Sequence, residues 1–337
     1  MSAKPLVFHL APGGKLRWAI ASLFLLAPVP NALATGVVVA PGPGGTAQLQ
    51  TRDGVPIVNI VAPNGSGLSH NQFLDYNVDR QGLVLNNALE AGQSQLAGQL
   101  AANPQFQGQA ASVILNEVIS RNASAINGVQ EIFGRGADYV LANPNGISLN
   151  GAGFINTPNA HLLVGRPELN EGKLLALSTR EATGELSIRG AGLQNSEGSI
   201  NLIAPRIDSE GKIGARDDLN LTVGRNSVDF ASGQVRYVDP SGDSGDGRID
   251  ARLFGAMQAG RINIISTAEG AGVRIGPVQV AGRDGVRIRS AGDLVISGDA
   301  VPDSLEVVRA GAQQQPGRCQ LAQRQGPDSG GGRCQWP

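Results

Sequence analysis

Six charged residues lie close enough in the sequence to suggest acid–base chemistry on a sugar chain: Arg206, Asp208, Glu210, Arg216, Asp217 and Asp218. That chemistry needs acids gathered on one face, commonly with basic residues or a metal. These six flank turns, where charged side chains ordinarily meet solvent. Past the first 34 residues the histidines are His70 and His161, far apart and without metal-ligand spacing. His70 is expected to make a local hydrogen bond. Asp239 to Gly247 alternates acidic residues with Gly and is expected to be a solvated loop, because the repeat of calcium-binding β-rolls is missing. Gly282-Arg283-Asp284-Gly285 is not an Arg-Gly-Asp motif. No nucleophile–His–acid order or phosphate loop occurs. No catalytic, cofactor-binding or metal-binding residue is therefore assigned. Asn143-Pro144-Asn145-Gly146 taken alone is a turn, since Pro fixes one dihedral and Asn-Gly accepts positive φ.

The elements that would position such residues are short strands. Charged residues make up 16% of the 337 and aromatics 4%, while Gly numbers 47, about twice the usual usage of roughly 7%. This balance argues against a disordered chain, a nucleic-acid binder and an ordinary α/β enzyme. Lys4, Lys15 and Arg17 precede an apolar run from Trp18 to Val29, and Ala32-Leu33-Ala34 supplies small residues for cleavage after Ala34. The run is about 12 residues, short of the roughly 20 that span a bilayer, so residues 1–34 read as a secretory signal. Its removal leaves 24 basic against 28 acidic residues, a net charge of −4. Cys319 and Cys334 would then meet an oxidising compartment and can pair.

Thr35 to Gly45 reads as extended, Gln48 to Val61 as strands, and Gly67 to Asn87 as short β segments broken at Asn71, Asn77 and Gly82. Leu89, Leu96 and Leu100 fit a helix face, and Val113 to Ile119 fits a buried strand or a short helix. From Glu185 short alternating strands recur, bounded by Gly, Asp, Asn or Ser. Gly198-Ser-Ile-Asn-Leu-Ile is echoed 62 residues later by Gly260-Arg-Ile-Asn-Ile-Ile, about three turns of roughly 20 residues. One such turn cannot bury its apolar positions alone, whereas stacked turns share a continuous core. A sandwich would show wider turn spacing and more aromatics. The expected fold is an all-β, right-handed parallel β-helix with extra-helical β elements near the N-terminus.

One stretch carries an ordered set of short motifs: Ala111 to Val118, Gly128 to Gly134, Ala137 to Ile147 and Asn150 to Thr157, with Gly67 to Phe73, Tyr76 to Val78 and Gly82 to Asn87 upstream. In that order they resemble the haemagglutination-activity, or two-partner secretion, domain that opens filamentous haemagglutinin, secreted haemolysins and contact-dependent inhibition proteins. The resemblance covers roughly Thr46 to Gly190. It implies export to the periplasm of a Gram-negative bacterium and recognition there by the POTRA modules of an outer-membrane β-barrel transporter. Folding then follows outside, at the cell surface or after release. It also implies two Asn-Pro recognition motifs. The second is intact as Asn143, Pro144, Asn145, Gly146 and Ile147. The first, usually Asn-Pro-Asn-Leu, stands as Asn103-Pro104-Gln105-Phe106, a departure at two positions.

The expected organisation is a signal at 1–34, the secretion domain at 35–190, a β-helical shaft at 191–300 and an irregular tail at 301–337. In the tail, Cys319 and Cys334 form a tether at the transporter, as in some family members, or the segment is an altered ending of a longer exoprotein. The expected function is that of a secreted, adhesin-like exoprotein, not an enzyme, meeting receptors or glycans on host or neighbouring cells. Alternatives are the opening of a haemolysin or contact-dependent inhibition toxin, and a β-helical polysaccharide lyase or hydrolase.

Overall fold

Three strands per turn, mostly of three to six residues, alternate inward apolar and outward polar positions. Ile207–Ser209, Ile213–Ala215 and Asp218–Val223 form one such turn. The computed structural model describes residues 36–238, 251–267, 272–276, 280–292, 294–296, 305–309 and 332–333. No helix occurs among them. The proposed signal with its cleavage at Ala34, the Asp239–Gly247 loop, Cys319 and Cys334 lie outside the described residues.

Stacked turns build three mainly parallel sheets, and the parallel crossovers make the helix right-handed. Face A has eleven strands, among them Leu68–Tyr76, Val113–Val118, Asp138–Ala142, Asn159–Leu163, Ser199–Ala204, Asp218–Val223, Arg261–Ser266 and Val286–Ser290. Face B has eight strands, including Ser124–Ile126, Ile147–Leu149 and Leu186–Ile188. Face C has nine, including Leu83–Asn87, Val129–Gly134 and Ala152–Ile155.

The core is a set of registered columns. Ile114, Tyr139, Ala160, Ile200, Leu219, Ile262 and Val286 stack in one file, all buried. Leu141, Leu162, Leu202, Leu221, Ile264 and Ile288 stack in a second. The echoed motifs are thus two turns apart, not three: Ile200 pairs with Leu219, and Leu219 with Ile262. The second of those turns is long because the chain leaves the shaft at Asn226–Asp229 and Val235–Val238.

Those strands join Arg166–Asn170 and Lys173–Ser178 in a four-stranded antiparallel outer sheet. Its Leu177 and Val228 cover outward apolar residues of two neighbouring files on face A, Leu115 with Val140 and Leu163 with Ile203. A smaller hairpin, Gly92–Ser94 with Gly98–Leu100, lies over Val84 and Phe133 of face C. The glutamate on its turn partner is specific: Glu131 accepts from Ser94 Oγ at 2.7 Å and from the backbone of Gln95 and Leu96 at 2.9 Å. The stretch open between helix and strand is strand, at Val113–Val118 and in this hairpin.

Two further expectations are corrected. Asn71 does not break a strand; it sits inside Leu68–Tyr76, because its oxygen accepts from Val61 N at 2.9 Å and its amide donates to Ser69 Oγ at 3.1 Å. The parallel stacking also passes the expected stop at Val301, since Leu305–Arg309 pairs with Val286–Ser290.

Asn116 lies in the second inward column, between Asn71 and Leu141. It is fully buried, and neither side-chain polar atom has a partner among the described residues. An unpaired buried amide costs about 1–3 kcal/mol. Asn116→Leu should therefore raise the unfolding free energy by about 1–3 kcal/mol, read from urea unfolding of the purified chain; a destabilised variant would show that the amide is satisfied.

Candidate functional site

The two Asn-Pro motifs build the same structure at two corners. Asn143 follows the face A strand Asp138–Ala142 and is fully buried. Its Oδ1 accepts from Asn145 N at 3.0 Å, and its carbonyl accepts from Gly146 N at 3.3 Å, so a side-chain turn is laid over a backbone turn. Its Nδ2 donates to Asn122 O and to Ser124 Oγ, both at 2.9 Å, on the preceding rung. Asn145 Nδ2 reaches the same rung at Ser120 O, 3.0 Å away. Gly146 has φ +118°, which excludes most side chains.

The next rung docks on the same corner. Thr183 N and Gly184 N donate to Pro144 O at 2.9 and 3.0 Å, and Ile147 N donates to Glu185 O at 3.1 Å. These contacts seat the chain as it returns from the Lys173–Ser178 excursion. One motif thus ties three rungs together.

Asn103 repeats the arrangement near the start of the shaft. Its Nδ2 donates to Ile60 O at 2.9 Å and Asn86 O at 2.8 Å. Its Oδ1 accepts from Gln105 N at 2.9 Å, and its carbonyl from Phe106 N at 3.2 Å. Gln105 departs from the usual Asn, yet its Nε2 donates to Asn59 O at 2.7 Å, as Asn145 does to Ser120. Phe106 packs against the main core. The departure keeps the geometry, because one extra methylene still reaches a neighbouring-rung carbonyl. The motifs differ in that Pro144 is buried while Pro104 is exposed.

The charged candidates do not converge. Asp208 on face B bridges Arg189 at 2.8 Å and Arg252 at 3.0 Å, and Glu210 lies 3.7 Å from Arg189. Asp217 pairs with Arg216 at 2.8 Å, and Asp218 begins the next face A strand, 3.8 Å from Arg261. Arg206 sits in the turn before Ile207–Ser209. Each carboxylate among these is held by an arginine near it, and no two form a pair across a cleft.

His70 corrects the expectation of a local bond. Its Nε2 lies 2.8 Å from Glu117 Oε2, on the neighbouring strand 47 residues away, and Gln72 Nε2 joins them at 3.0 Å. Desolvation raises the pKa of Glu117, but the bonds from His70 and Gln72 outweigh it and hold the carboxyl below its usual range. Sequence reasoning also missed a buried knot in the core. Gln130 Oε1 accepts from Tyr76 at 2.9 Å and Tyr139 at 2.6 Å, and burial pushes both phenols up. Only the stacking of rungs brings these residues together, so spacing carried no signal for them.

His161 packs against Phe230, ring centroids 5.1 Å apart, and desolvation pushes its imidazole down to about 4. The unfolded chain then binds the proton more readily, so this group's stabilisation is present above about pH 6.5 and is lost as pH falls towards 4. The ring is only partly enclosed, which puts the loss at about 1–2 kcal/mol. Urea unfolding at pH 7 and pH 4.5 should show a drop that His161→Phe reduces; equal drops would contradict it.

Residues 37–296 match the family model described as TPS secretion domain, a span that runs through the boundary expected at Gly190. A hemolysin of Proteus mirabilis is 47% identical over 268 residues, which is 80% of this chain and 16% of that protein. A hemolysin of Serratia marcescens is 47% identical over 274 residues, 80% of this chain and 17% of that protein. The tRNA nuclease CdiA of Escherichia coli O6:K15:H31 (strain 536 / UPEC) is 40% identical over 277 residues, 81% of this chain and 8% of that protein. The chain therefore spans less than a fifth of the length of these curated relatives. The crystal structure of a filamentous hemagglutinin secretion domain superposes with a TM-score of 0.65 at 30% identity, covering 82% of this chain and 98% of that one. With the family model matching most of its length, and with its fold shared with that secretion domain, the chain belongs to the family of TPS (two-partner secretion) domains.

Proposed function

We propose that the domain directs export of the chain to which it belongs through an outer-membrane β-barrel transporter, recognised by the transporter's POTRA modules in the periplasm. The family match over residues 37–296 carries this reading. The geometry supports a mechanism for it. The long-range bonds of Asn143 and Pro144 are made to neighbouring rungs, at Asn122, Ser124, Leu163, Thr183 and Gly184. In an extended chain those amide and carbonyl groups are free to bind a receptor; on folding they are used up inside the shaft. Recognition and release would then be two states of the same groups at Asn143 to Ile147 and at Asn103 and Pro104. Outside, each added rung buries apolar surface at roughly 25 cal/mol per Å², which opposes return through the barrel.

The exported chain works at the cell surface or in the medium by contact, as an adhesin-like protein, and catalysis by these residues has no part in the reading. A second reading is favoured by the relatives: the chain is the opening of a longer toxin of the hemolysin or CdiA kind, whose activity would lie elsewhere. The polysaccharide-lyase alternative loses its basis, since the candidate acids are engaged by arginines on separate faces.

Binding of the purified chain to isolated POTRA modules tests the recognition step. The chain diluted from urea should bind at least tenfold more strongly than the refolded domain. Equal binding of both states would reject release by folding.

A further inference from the structure

We propose that the groove between face A and the outer sheet is a binding site for a linear, neutral oligosaccharide. The proposal deepens the surface-contact reading above and rests on it for the setting in which the ligand is met, not for the chemistry.

The floor of the groove is a file of amides. His161, Asn201, Asn220, Asn263 and Arg287 occupy one outward column in register. Asn220 Nδ2 donates to Asn201 Oδ1 at 2.9 Å, and Asn263 Nδ2 to Asn220 Oδ1 at 2.8 Å. The file runs one way, so it leaves a terminal donor at Asn201 and a terminal acceptor at Asn263 without a partner among the described residues. The wall is Phe230, with Ser232 and Gly233 beyond it. Together they enclose about 340 Å³, within the range of small-ligand sites.

Hydroxyl-bearing edges against amides and an apolar face against an aromatic ring are the two surfaces of a pyranose. Rungs repeat at roughly 4.8 Å, close to the advance of an extended sugar chain per residue, so successive sugars can meet successive asparagines. The charges favour a neutral ligand, since Asp218 and Asp229 balance Arg287 and Arg289 along the lining. Asp218 also faces Arg261 at 3.8 Å, Arg287 bonds Glu306 at 2.7 Å, and Asp229 is held by Arg236. A peptide strand would need an open sheet edge, and the strands forming this floor are paired on both sides.

Titration calorimetry of the purified chain with cellohexaose, chitohexaose and hexagalacturonate tests the site. At least one neutral hexasaccharide should bind, with its disaccharide at least tenfold weaker. Asn220→Val, which keeps a strand-forming residue, and Phe230→Ala should each weaken binding at least tenfold, with the thermal unfolding of Asn220→Val checked against the natural chain. The proposal is overturned if neither neutral hexasaccharide binds, if only hexagalacturonate binds, or if both variants bind like the natural chain. No transporter enters this measurement, so its failure leaves the export reading standing.

Discussion

Asn143→Ala is expected to lower the unfolding free energy by about 2–4 kcal/mol, because it removes two donated bonds and strips Asn145 N and Ser124 Oγ of a buried partner. For a domain of this size that is a fall of roughly 3–8 °C in midpoint. The effect should exceed that of Asn103→Ala. Both asparagines make two donated bonds, but the next rung also docks on the Asn143 corner through Pro144, whereas Pro104 is exposed. Thermal unfolding of the two purified variants decides this. A loss under about 1 kcal/mol for Asn143→Ala would mean that the corner relaxes without its side chain.

Gly184→Ala is expected to be at least as damaging, by about 3 kcal/mol or more. A Cβ on Gly184 would lie 2.2 Å from the carbonyl carbon and oxygen of Asn145, which are backbone and cannot swing aside. The next rung would have to lift off Pro144, breaking the bonds from Thr183 and Gly184. This variant keeps every atom of the Asn143 motif, so it separates loss of the folded corner from loss of the motif itself. Near-natural stability in urea unfolding would show that rung spacing at this corner is loose.

The strands that could be read from the sequence are those of the shaft whose outward faces meet water. Leu219-Asn220-Leu221 alternates because Asn220 is on the outside of face A. Alternation fails where the outside is covered too. Leu202 faces the core and Ile203 lies beneath Leu177 and Val228, so the two run together as apolar residues. The outer strands Arg166–Asn170 and Lys173–Ser178 went unseen because they pack through few positions, chiefly Ala176 and Leu177. The excursion through Asn226–Asp229 and Val235–Val238 also stretches the period, which is why two turns look like three. At the motifs, the turn was legible in Asn-Pro-Asn-Gly, but its partners at Ser120, Asn122 and Thr183 were not. They become neighbours only when rungs stack, and no local spacing encodes that. That Gln105 keeps the motif's bond was illegible for the same reason: its acceptor, Asn59 O, is 46 residues away.

The most direct test of the account is secretion of the chain into the medium, with and without a matching outer-membrane transporter, for the natural chain, Asn143→Ala and Gly184→Ala. Secretion is expected only with the transporter. Asn143→Ala should fall well below Gly184→Ala, because only it loses the motif amide that the extended chain offers for recognition. Secretion that ignores the transporter, or equal secretion of the two variants, would contradict it.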